Sequence, residues 1–148
     1  MNKNILIIDD DPDLRKLVKI NLSSFGYQVL CAEEGTKGLE MARTEHPALI
    51  LLDLMMPVVD GWRVLDDLSK DPTTRDVPVV VLTAMAQDEY VLRALEAGAV
   101  EYLCKPFDLI GLTKCIDVTL ERAAAHGLAE HRHKLIEKRR FFIQLNQG

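Results

Sequence analysis

Five short apolar runs recur at steady intervals along the chain: NILII (4–8), YQVLC (27–31), ALILL (48–52), VPVVVL (77–82) and VEYLC (100–104). Each is short and continuous and contains at least one β-branched residue, which predicts strands buried on both faces, as in a parallel sheet. Between the runs, apolar residues fall at helical spacing. Leu14, Leu17, Val18 and Leu22 make one stripe, and Leu92, Leu95 and Ala99 suggest another. Gly26, Pro47 and Gly98 stand where these helices should stop. Strand–helix alternation repeated five times predicts right-handed crossovers and a doubly wound α/β sheet with helices on both faces.

Composition narrows the picture. The 148 residues, 48% hydrophobic, suit one domain with a proper core. No apolar run approaches the roughly 18 residues that a membrane span needs. The opening MNKN passes straight into a strand, without the long apolar region of a signal peptide. Cys31, Cys104 and Cys115 are odd in number and lie far apart, so they read as reduced, largely buried side chains. A cytoplasmic location is the expectation. The net charge of −5 hides an asymmetry: residues 1–120 hold 12 Lys/Arg against 20 Asp/Glu, and residues 121–148 hold 6 against 3. An acidic body with a basic tail is a poor candidate for binding nucleic acid through the body.

A doubly wound sheet places ligand sites beyond the carboxyl ends of its strands, near a reversal of strand order. The residues expected there are Asp9 and Asp10 after the first strand, Asp53 after the third, Thr83 after the fourth and Lys105 after the fifth. Asp11, followed by Pro12, reads as a helix N-cap with Pro at N1. Asp9 and Asp10 precede that cap and need another account. Two carboxylates about 4 Å apart repel by roughly 4 kcal/mol at an effective dielectric near 20. Protonation of one of them, or a neighbouring Lys, offsets that, but a hard divalent cation such as Mg²⁺ suits three oxygen ligands better. A carboxylate beside Mg²⁺, a Lys and a Thr hydroxyl is equipped to attack phosphorus, with the cations neutralising the phosphoryl oxygens. Asp53 is the preferred nucleophile, because it ends the central strand alone and leads into the loop DLMMPVVDG. Pro57 and Asp60-Gly61 mark turns that shape this loop.

The runs IIDDDP (7–12), LLDLMMPVVDGW (51–62), VLTA (81–84) and EYLCKPF (101–107), in this order and spacing, resemble the receiver domain of two-component response regulators over roughly residues 3–122. The resemblance implies a flavodoxin-like (βα)5 fold for residues 1–122, with 123–148 as a basic helical tail. It implies phosphorylation of Asp53 by a sensor histidine kinase or a histidine phosphotransfer protein. Mg²⁺ would be held by Asp10, Asp53 and the Met55 carbonyl, with Asp9 helping through water. Lys105 and Thr83 would bind the phosphoryl group, small Ala84 would leave access, and the Lys105–Pro106 bond would be cis. Thr83 and Tyr102 would move on phosphorylation and alter a face made of the fourth helix (near 86–97), fifth strand and fifth helix (near 107–125). That face would signal to a downstream protein or form a homodimer. Met55 and Met85 cannot orient a hydrolytic water, which predicts slow loss of the phosphoryl group.

Other features carry less. Trp62 reads as a packing residue of the third helix or as a reporter beside the site. The loop KDPTTRDVP (70–78) reads as a surface connection without chemistry, and His46 as a solvated helix end. Beyond Gly127, Leu128, Leu135 and Phe142, with Ile136 and Ile143, make an apolar stripe on a basic helix. That helix could pack on its own domain, dimerise, dock a partner or link to an output domain. His131 and His133, two apart, do not share a face and argue against a metal site. The competing reading is a Mg²⁺-dependent phosphohydrolase of the haloacid dehalogenase type, which also uses an Asp nucleophile. Here Leu54-Met55 follow Asp53, so the second Asp of that class is absent, and so is a cap domain.

Overall fold

Along each central strand, successive side chains point to opposite sides, and both sides are apolar. Leu6, Ile8, Ile50, Leu52, Val79 and Val81 pack into one layer, while Ile5, Ile7, Leu49, Leu51, Val80 and Leu82 pack into the other. A strand with two dry faces must be sandwiched between helices. The computed structural model describes residues 3–147, and Met1, Asn2 and Gly148, at the ends of the two expected units, lie outside them. Its strands are β1 (Asn4–Ile8), β2 (Gln28–Ala32), β3 (Leu49–Asp53), β4 (Val79–Thr83) and β5 (Glu101–Cys104). They form one parallel sheet in the order β2-β1-β3-β4-β5. The helices are α1 (Pro12–Ser24), α2 (Gly35–Glu45), α3 (Gly61–Lys70), α4 (Asp88–Glu96), α5 (Leu109–Ala124) and α6 (Leu128–Gln147).

Val18 and Leu22 of α1 and Leu112 and Ile116 of α5 close one layer. Ala42 of α2, Val64, Leu65 and Leu68 of α3 and Ala94 of α4 close the other. Each fully buried Leu or Ile contributes roughly 1.5–3 kcal/mol relative to exposure. Helix punctuation follows local chemistry. The Asp11 carboxylate accepts from the amides of Asp13 and Leu14, with Pro12 in the first turn, a cap worth about 1 kcal/mol. Gly26 (φ 88°) and Gly98 (φ 121°) take the left-handed conformation that lets the chain leave α1 and α4.

Several expectations need correction. Leu17 is 50% exposed, because Leu14, Val18 and Leu22 at four-residue spacing already fill the inner face of α1. Ala99 is buried but follows the end of α4, whose inner face is Val91, Ala94 and Leu95. The strands were expected to be dry on both faces, yet β2 and β5 are the sheet edges and only partly buried. Asp60-Gly61 is a helix start, with Asp60 capping α3 by accepting from the Arg63 amide at 2.9 Å. In the loop 70–78, Thr74 is buried and its hydroxyl donates to the Leu68 carbonyl at 2.8 Å.

The tail folds back along α4. Ile136 is buried and Leu135 half-buried beside Val91, Leu95 and Tyr102. The expected stripe is only partly used, since Phe142 is 40% exposed. A 20-residue helix spans roughly 30 Å and the nine-residue α4 roughly 14 Å, so the end of α6 outruns its support.

Candidate functional site

Strand order reverses between β1 and β3, and there the chain brings its acidic residues together. The carboxylate oxygens of Asp9, Asp10 and Asp53 lie within 4.8 Å of one another. β3 carries Asp53 as its last residue, in register with Leu82 of β4, and β4 ends at Thr83 opposite Cys104. The backbone ladder therefore sets Thr83 one residue beyond Asp53 at the carboxyl ends of neighbouring strands.

The repulsion among these acids is offset from β5. The Lys105 ammonium donates to Asp9 Oδ2 at 2.8 Å and to Asp53 Oδ2 at 3.2 Å. The other Asp9 oxygen accepts from the Asp11 amide at 2.9 Å, so this fully buried carboxylate is engaged at both ends. Asp53 Oδ1 accepts from the Met55 amide at 3.0 Å. Asp10 is exposed and is the open member of the set. Burial pushes the Asp53 carboxyl up from its ordinary value; the Met55 amide opposes this, Asp9 reinforces it and Lys105 opposes it. For Lys105, burial works against the charge, but the bond to Asp9 and the field of both carboxylates outweigh it and the ammonium is held above its usual range.

The donor set is all oxygen, strongly anionic and open on the Asp10 side, which fits a hard, partly hydrated Mg²⁺. Around it, the Thr83 hydroxyl is buried and accepts from the Met85 amide at 3.4 Å. Ala84 is exposed, as is Met55 at 59%, whereas Met85 is half-buried against the core. The Lys105–Pro106 peptide is cis. Tyr102 is half-buried and donates its hydroxyl to the Met85 carbonyl at 2.5 Å. Burial raises this phenol to about 12, with the neighbouring Cys104 and Asp53 adding to the rise and Arg139 of α6 opposing it.

Two supports were not legible in the spacing of motifs. Gly61 sits so close to the chain entering the loop that a Cβ there would lie 2.2 Å from the Asp53 carbonyl oxygen and 2.3 Å from Leu54 Cα. Arg15, one turn into α1, donates to the Asp9 carbonyl at 2.7 Å. Trp62 packs as a helix residue, with the Arg93 guanidinium 4.0 Å above its ring, joining α3 to α4. A cleft of about 520 Å³ lined by Val77, Gly98 and Leu128 lies at the amino ends of β4 and β5, away from the acids.

A parallel sheet in the order 2-1-3-4-5 with acids at its switch point and a cis-Pro after β5 defines a class. The response regulator receiver domain model matches residues 5–117, and the chain belongs to that family. It is 45% identical over 118 residues to the DNA-binding dual master transcriptional regulator RpaA of Synechocystis, covering 80% of this chain and 49% of that protein. It is 41% identical over 108 residues to the response regulator PleD of Caulobacter vibrioides, covering 73% of this chain and 24% of that protein. Among solved structures, a CheY-like receiver domain protein from Methanospirillum hungatei superposes with a TM-score of 0.80 at 29% identity, covering 86% of this chain and all of that one. The chain spans about half the length, or less, of the curated relatives it matches. The haloacid dehalogenase alternative finds no support in these relatives. Among the described residues, no helix is long and apolar enough to cross a membrane.

Proposed function

We propose that Asp53 accepts a phosphoryl group from the phosphohistidine of a sensor kinase or phosphotransfer protein, and that this addition switches the surface on α4, β5 and α5. The observation that carries the reading is the position of Lys105, bridging Asp9 and Asp53 where three carboxylates converge at the strand-order reversal. Asp10, Asp53 and the Met55 carbonyl would hold Mg²⁺, with Asp9 assisting. When bound, the metal supplies positive charge that stabilises the phosphoryl oxygens. Asp53 supplies the attacking oxygen, forming a P–O bond as the P–N bond breaks, and the imidazole, protonated at its other ring nitrogen in the phosphohistidine, leaves neutral. The Lys105 ammonium is released from its two carboxylates to meet the new anion, and the Thr83 hydroxyl donates to it.

In this reading residues 1–122 form the switch and residues 123–148 a tail. The chain acts as a cytoplasmic signalling component that catalyses only its own phosphorylation and dephosphorylation. Its output is contact with a protein target or a second copy, without direct binding of nucleic acid. Intact mass after incubation with acetyl phosphate and Mg²⁺ tests the reading, beside Asp53→Asn and an EDTA control. One phosphoryl gained by the wild type alone, and lost with chelator, is expected. Steady phosphate release without an adduct, or an adduct on the variant, would refute it.

A further inference from the structure

The tail helix lies on the face that the proposed function assigns to output, and its contacts are specific. Ile136 is buried with Val91 and Leu95, and Leu92, Leu135 and Tyr102 pack around them. Arg139 donates to Asp88 at 2.6 Å and Arg132 to the Leu95 carbonyl at 2.7 Å, both partly shielded from water. Arg140 reaches Glu96 at 3.2 Å, and the His131 ring lies 3.2 Å from Glu101 of β5. The surface under α6 is thus an apolar groove edged by Asp88, Glu96 and Glu101, and a basic amphipathic helix is its complement.

The hold of α6 is also tied to the site. The Thr83 hydroxyl accepts from the Met85 amide, the Met85 carbonyl accepts from the Tyr102 hydroxyl, and the Tyr102 ring packs on the α6 cluster as well as on the main core. The first of these bonds is long, at 3.4 Å, and leaves Thr83 free to turn toward an anion on Asp53. Movement of residues 83–85 displaces the acceptor of Tyr102, and the ring can then sink toward the core it already touches, away from Ile136. α4 has no side-chain cap at Gln87, so α6 steadies its first turn through Arg139 and Asp88. Only a short link, Ala125 to Gly127, joins α6 to α5.

We infer that α6 is a built-in, displaceable occupant of the groove on α4 and β5, and that phosphorylation of Asp53 releases it, opening the groove to a basic amphipathic helix of another protein. This rests on the proposed function of Asp53. Coupling of this kind is reciprocal: if a phosphoryl group loosens α6, loosening α6 must favour the phosphoryl state by the same factor.

The test uses the full chain with acetyl phosphate and Mg²⁺, following hydrogen exchange of residues 128–147 and intact mass in the same samples. A rise of roughly tenfold in α6 exchange on phosphorylation is expected, within the 5–150-fold range of ordinary coupling. Beryllofluoride, a phosphoryl mimic, should bind Arg139→Glu and Ile136→Asp more tightly than wild type by that factor, and Arg139→Glu with Asp88→Arg should return to the wild-type affinity. An adduct with unchanged α6 exchange, or equal beryllofluoride affinity in wild type and both single variants, would overturn this inference while leaving the acceptor role of Asp53 intact. Absence of any adduct would overturn the acceptor role and the coupling together.

Discussion

Gly61 is the position where one methyl group should do the most damage to the site. A Cβ there would lie 2.2 Å from the Asp53 carbonyl oxygen and 2.3 Å from Leu54 Cα, against 3.4 Å or more for ordinary contact. Both obstructing atoms are backbone, so no side chain can swing away, and one segment must move by about 1 Å. Overpacking typically costs 1–3 kcal/mol, and a clash with two rigid backbones belongs at the top of that range, about 3 kcal/mol. With a urea slope of about 2 kcal/mol/M, Gly61→Ala should lower the unfolding midpoint by about 1.5 M. The displaced segment carries Asp53, so acetyl phosphate should also label the variant far more slowly. Gly127→Ala is the control, because its nearest atom is the Arg122 carbonyl oxygen at 3.6 Å, ordinary contact. Circular dichroism in urea and intact mass read the two effects. A Gly61→Ala protein with wild-type midpoint and labelling rate would refute the close-approach reasoning.

Val58 is 97% exposed with φ 70°, a left-handed conformation that penalises a β-branched side chain; Val58→Asn should stabilise by about 1 kcal/mol in urea unfolding, and a loss would contradict the strain. Burial, reinforced by Glu101, raises the Cys115 thiol to about 11 against the pull of Thr119 and Arg122, leaving roughly one thiolate in a thousand at pH 8. Iodoacetamide should therefore label exposed Cys104 well before Cys115, as peptide mapping would show, and equal rates would refute this. The Arg43 guanidinium, 2.7 Å away, and then the Thr73 amide and hydroxyl hold the Asp71 carboxyl down at about 2. A depressed carboxyl stabilises the fold above its ordinary value of 3.8 and loses that contribution as pH falls toward 2. Arg43→Gln should flatten the dependence of stability on pH in that window, and an unchanged slope would exclude the pair. Met55 and Met85 offer no group to orient a water, so the phosphorylated protein should persist for many minutes; decay within seconds would show another residue doing so.

The central strands were legible because a buried parallel strand leaves an unbroken apolar run, and the site was legible because acids at strand ends have few structural uses. Edges were less readable. YQVLC and VEYLC each carry one polar residue, Gln28 and Glu101, but a single polar position does not by itself mark β2 and β5 as sheet edges. Leu17 matched the helical period but lies on the rim of α1. Contacts between distant segments were invisible: the Arg93 guanidinium over Trp62, and the choice of α4 as the seat of α6, depend on two surfaces meeting. In the sequence Gly61 reads as a turn residue, because a glycine signals either an unusual φ or a close approach and only the fold decides between them.

Borohydride trapping identifies the carboxylate that takes the phosphoryl group. Reduction of an aspartyl phosphate leaves homoserine at the modified position, which peptide sequencing by mass spectrometry locates. After treatment with acetyl phosphate and Mg²⁺, homoserine is expected at position 53 and at neither 9 nor 10. Homoserine at position 9 or 10, or a phosphoryl group carried on another residue type, would contradict it.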